Sequence, residues 1–166
     1  MRSVFALVFF VLLLSSCAQI YFSEPQPSKG MVIKSFIDNI QGEYSDSLLK
    51  VEVLKNELVI EDEHFKLANK NPQNNEVVVK FYKDFYFASF KDSAYYSVFM
   101  CKFYDNKLAV YALPADKRSV QRLKNFGEVV LTDSISGSYL MTVSKKQFDM
   151  LMDYEMFNVL NVLKKN

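Results

Sequence analysis

The chain has 166 residues, 50% hydrophobic and 15% aromatic, which is enough for one domain with a sizeable core. Its 20 basic and 19 acidic residues nearly cancel, which excludes the strongly basic surface that nucleic acid requires. A single histidine excludes a histidine-rich zinc site.

In chain order, Arg2 precedes the uninterrupted apolar run VFALVFFVLLL at residues 4–14. Eleven residues are too few to cross a hydrocarbon core as a helix, which takes about 20. A core helix would carry polar residues on its far face, and this run has none. A positive start, a short apolar centre and small residues after it form the layout of a secretory signal peptide over residues 1–16.

Leu14-Ser15-Ser16-Cys17 resembles the lipobox of bacterial lipoproteins. The resemblance implies cleavage between Ser16 and Cys17, a diacylglyceryl thioether on the Cys17 thiol and an N-acyl chain on its freed amine. One acyl chain binds a membrane marginally, whereas two or three anchor it. Ala18 follows where the family's inner-membrane retention rule uses Asp, so the resemblance implies the outer membrane. It does not distinguish the periplasmic side from the cell surface. Beyond this covalent lipid no cofactor is expected. Removing residues 1–16 takes away one charge, Arg2, and leaves 19 basic and 19 acidic residues, so attachment would depend on the lipid. Cys101 then has no disulfide partner, and its place among strand aromatics predicts a small buried hydrophobe.

Residues 17–30 include Pro25 and Pro27 and predict an extended tether reaching roughly 40 Å, with the domain beginning at residue 31. A PQP tether, a short helix and a Gly-x-Tyr strand together resemble uncharacterised envelope lipoproteins of Bacteroidota-type bacteria. Val32, Ile33, Phe36, Ile37 and Ile40 are spaced for that short helix, which Gly42 would close.

From GEYSD onward the period is 2, the rhythm of strands. LLKVEVL and ELVIE pair across Lys55-Asn56, and the polar stretch NKNPQNN is a loop. EVVVKFY, FYFASF, AYYSVFMCKFY and KLAVYAL follow, joined at Lys83-Asp84, Asp92-Ser93 and Asp105-Asn106, and such short joins predict an antiparallel meander. An inserted helix over residues 116–125 precedes EVVLT and SYLMTV. The last helix is predicted from Ser144, whose S-x-x-Q spacing to Gln147 forms a capping box. It continues through the stripe Phe148, Leu151, Met152, Met156, Val159, Leu160 and Leu163.

The expected fold is mainly β: a meander forming a barrel or strongly curled sheet, with the carboxy-terminal helix packed on it. Gly42-Glu43-Tyr44, the meander and the terminal helix resemble a lipocalin-type barrel, although Tyr44 stands where that family has tryptophan. In the AYYSVFMCKFY strand, Tyr96, Val98 and Met100 point one way and Phe99 and Phe103 the other, so both faces are expected to be covered. Burial accounts for these aromatics, and a pocket for an apolar ligand is the alternative.

Glu61, Asp62, Glu63 and His64 gather possible ligands for a divalent cation, but three consecutive acids at a strand end read as a solvated turn. Lys117, Arg118, Arg122 and Lys124 cluster on the inserted helix, either as a solvated face or as a contact for lipid headgroups or an acidic partner. Neither a nucleophile elbow nor a glycine-rich phosphate loop is present. The sequence therefore points to a non-enzymatic binding or scaffold module with an envelope protein as partner, and secondarily to a carrier of a small apolar ligand.

Overall fold

The computed structural model describes residues 18–133 and 136–166. The signal segment and the Ser16–Cys17 cleavage and lipidation site lie outside the described residues.

The protein is mainly β, with a closed barrel at its centre. Strands β3 (Gly42–Ser45), β4 (Lys50–Val53), β5 (Glu57–Ile60), β6 (Glu63–Leu67), β7 (Glu76–Tyr82), β8 (Phe85–Asp92), β9 (Tyr95–Tyr104), β10 (Lys107–Ala112) and β13 (Asn158–Lys165) form its nine staves. Neighbours are antiparallel except β6 and β7, which run parallel through Lys66–Glu76 and Leu67–Val77. The remaining strands are β1 (Ile20–Phe22), β2 (Met31–Val32), β11 (Glu128–Asp133) and β12 (Ser138–Thr142). Among the described residues the two α-helices are α1 (Lys117–Leu123) and α2 (Lys145–Asp153).

Local sequence explains the central hairpins. Lys83 and Asp84 have φ of 48° and 66°, and Asp105 and Asn106 have 47° and 57°. Two consecutive left-handed residues make the type I′ turn whose twist matches paired strands, and Asp and Asn tolerate that region better than most. The Glu61-Asp62 turn, with φ of 48° and 69°, joins β5 to β6 in the same way.

Strand β9 is the branch point of one continuous sheet. Its carboxy-terminal half pairs with β10 through Met100–Tyr111 to Tyr104–Lys107. Its amino-terminal half pairs instead with β1, through Ser97–Tyr21 and Tyr96–Phe22. Beyond β1 come β12, in parallel, and β11, which ends the sheet.

Two cores result, one on each face of β9. Val51, Val53, Val77, Val79, Leu108 and Leu163 fill the barrel with Tyr44, Tyr86 and Phe103. Outside the barrel, Phe22, Phe87, Tyr96, Val98, Met100 and Met141 pack against Val120 and Leu123 of α1 and Phe148 and Leu151 of α2. Phe148 lies 5.5 Å from Phe87 and 6.3 Å from Phe22, both edge to face. Such pairs add about 0.5–1.5 kcal/mol each beyond their area burial.

Three expectations are corrected. The expected tether belongs to the domain: Ile20 and Phe22 are 8% and 1% exposed, and Gln26 is 2% exposed over Ser89. Lys80 holds this segment by donating to the carbonyls of Pro25 (3.0 Å) and Pro27 (2.7 Å). The prolines thus serve a strap laid over β7 and β8 rather than a free spacer, and the domain begins before residue 31.

The short helix at residues 32–40 is absent. Met31 and Val32 pair with Phe81 and Lys80, and Ile33 N donates to Val79 O at 2.8 Å. Only a 3₁₀ turn remains, at Asp38–Ile40. Ile33, Phe36 and Ile40 are buried in the barrel while Ile37 is exposed, and the start of this stretch, residues 31–33, is taken up by backbone pairing with β7.

The last helix stops at Asp153. Its capping box is present, with Gln147 N donating to Ser144 Oγ at 3.3 Å and Ser144 N to Gln147 Oε1 at 2.7 Å. Glu155 then turns left-handed (φ 49°), and residues 158–165 become β13. Asn and Val are poor helix formers, and β13 bridges β10 and β3 to close the ring.

Candidate functional site

The chain enters the described fold beside the β11–β12 hairpin. Gln19 O accepts from Tyr139 N at 2.8 Å, and Gln19 N donates to Ser138 Oγ at 3.3 Å. A Cβ on Gly137 would lie 3.6 Å from the Ala18 Cβ, in ordinary van der Waals contact. The residue that follows Cys17 is therefore already against the domain.

Cross-strand register sets what surrounds this point. Leu131, Tyr139 and Ile20 form one row across β11, β12 and β1. Val130, Leu140, Tyr21 and Ser97 form the next, on the opposite face. Val130 and Leu131 are 49% and 50% exposed. Tyr21 donates to Asp92 Oδ2 at 3.3 Å, and burial together with that carboxylate pushes its hydroxyl up to about 12. The apolar pair on β11 was not singled out in the sequence. The only signal was that EVVLT does not alternate cleanly.

The basic cluster on α1 is present and open. Asp116 caps the helix by accepting from the backbone of Arg118 and Ser119, both at 3.1 Å, while Val120 and Leu123 turn into the outer core. Lys117, Arg118, Arg122 and Lys124 are all exposed. Arg122 Nη2 lies 3.6 Å from Met156 Sδ. The chain leaves α1 to start β11 at Glu128, opposite Thr142, whereas its entry lies by the Asp133–Ser138 end. A six-residue strand separates those ends by about 17 Å.

The aromatic residues of β9 are divided between the two cores. Tyr96, Val98 and Met100 are buried under the helices. Phe103 points into the barrel, 5.5 Å from Tyr44 and 5.4 Å from Tyr86. Phe99 is half-buried, 6.0 Å from Phe90. Cys101 lies in the barrel core, where burial pushes its thiol up to about 12.

The acidic stretch divides as well. Glu61 and Asp62 make the turn, while Glu63 and His64 open β6, with His64 Nδ1 3.4 Å from Glu57 Oε1. Among the described residues no group of three His, Cys, Asp or Glu side chains is arranged to hold a metal ion. An open hollow of about 310 Å³ lies beside the strap, lined by Glu24, Pro25, Val32, Asn69, Val78 and Lys80 among others.

No helix among the described residues is long and apolar enough to cross a membrane. No known protein family, curated protein or solved structure matches this chain.

Proposed function

We propose that the protein is a lipoprotein of the bacterial outer membrane, held by acyl chains on Cys17 and acting as a non-enzymatic binding module for another envelope protein. The carrying observation is the Leu14-Ser15-Ser16-Cys17 motif set directly before a folded β domain. The side-chain-filled barrel favours a binding surface over a carrier of an apolar ligand. The exposed Lys117, Arg118, Arg122 and Lys124 supply a face for an acidic partner, at the far end of β11 from the chain's entry.

Two measurements test this reading. Labelled palmitate should enter the protein in bacterial cells, and Cys17→Ser should abolish both labelling and membrane recovery. Crosslinking in intact cells should recover one envelope protein reproducibly, and reversing all four α1 charges to Glu should reduce that recovery about tenfold or more. Charge-assisted contacts of about 1.5–3 kcal/mol each make that loss reachable. Unchanged recovery with the four-Glu variant would remove α1 as the partner face.

A further inference from the structure

We infer that the outer edge of β11, carrying Val130 and Leu131, rests on the lipid bilayer that holds the protein. The inference builds on the lipoprotein reading and specifies how the domain sits.

It begins with the loss of the tether. Because Gln19 is hydrogen-bonded to β12 and Ile20 is buried, only Ala18 and Gln19 separate an acylated Cys17 from the core. Three extended residues reach about 10 Å, and β11 stands two strand spacings, again about 10 Å, from β1. The lipid would thus leave the fold within about 15 Å of Leu131, so the domain cannot stand off from the membrane.

The chemistry of that edge fits an apolar boundary. β11 ends the sheet, and its outer side has no partner strand among the described residues. Val130 and Leu131 point to opposite faces, so the rim itself is apolar, and each is about half exposed. Leu140 and Tyr21 stand behind Val130 in the same row. Tyrosine, apolar in body and polar at its tip, suits the headgroup boundary. Glu128 and Asp133 frame the pair at either end of the strand, which limits the contact to shallow seating with the carboxylates at headgroup level. The same placement leaves the α1 cations at the other end of β11 from the anchor.

The chain contains no tryptophan, so a single introduced indole reports its own surroundings. Full-length lipidated Leu131→Trp and, separately, Val130→Trp would be reconstituted in vesicles of phosphatidylethanolamine and phosphatidylglycerol with brominated acyl chains. Leu48→Trp, at a site 83% exposed on the β3–β4 turn, serves as the reference. Seating predicts about twofold or greater quenching of either β11 indole relative to Leu48→Trp, with a blue shift on membrane binding. Two positions guard against one variant misfolding. Equal quenching at all three sites, with the protein still floating with vesicles through Cys17, overturns the orientation and leaves the lipoprotein reading standing. Blue-shifted β11 indoles that escape the bromines and depend on protein concentration also overturn it, assigning the edge to a second copy. Flotation of Cys17→Ser equal to that of the parent would instead sink the lipoprotein reading.

Discussion

Cys101 and Tyr21 make the protein sensitive to alkali. Burial holds the Cys101 thiol near 12 against an ordinary 9.0, and burial with the nearby Asp92 carboxylate holds Tyr21 near 12 against 10.0. Both are acids whose neutral form the fold prefers, so above about pH 9 the unfolded chain binds fewer protons than the folded one. Stability is therefore full below pH 9 and falls as pH rises towards 12. Lys80, lowered by burial beneath the strap, opposes this in part. Thermal melts followed by circular dichroism should give a steady midpoint near neutral pH and a falling one above about pH 9, with Cys101→Ala removing part of the fall. In a Cys17→Ser background, a thiol reagent at pH 8 should label the unfolded chain at least about a hundredfold faster than the folded one.

Among the elements, β13 most sharply separates two readings of the same residues. A helical stripe would bury Leu160 and Leu163 together, whereas the strand leaves Leu160 53% exposed and Leu163 wholly buried in the barrel. Leu163→Ala should cost about 2–5 kcal/mol and Leu160→Ala within about 0.5 kcal/mol, read from urea midpoints. Comparable losses at both would restore the helix. The meander β7 to β10 was legible because its turn residues and alternating apolar positions are local. The Ser144–Gln147 pair likewise announced its helix. What β1, β2 and β13 do depends on strands far away in sequence: β13 joins β10 to β3, and β1 bridges β9 and β12. Helical spacing in 32–40 and 156–163 picked out Ile33, Phe36, Ile40, Met156 and Leu163, which are buried, but also Ile37, Val159 and Leu160, which the actual backbone leaves exposed. The basic face of α1 could be read from its spacing, while the apolar rim of β11 became visible only once the sheet order showed it to be an edge.

At the scale of the molecule, both described ends are structural. Ile20 and Phe22 seed the outer core, and Leu163 completes the inner one. A chain ending at residue 157 would leave the barrel wall open between β10 and β3. It should lack a cooperative melt and be digested by protease at concentrations that spare the full chain; a sharp transition in the truncated form would show that eight strands suffice.

That dependence on the final stave has a bearing on export. Contacts between the last residues and β3 span more than 100 positions, and such distant pairings form late. On the proposed secretory route the amino terminus crosses first, and the polypeptide stays slack until its closing segment has emerged. A narrow translocation channel can pass a slack chain, whereas a barrel that sealed itself from its first strands would jam it.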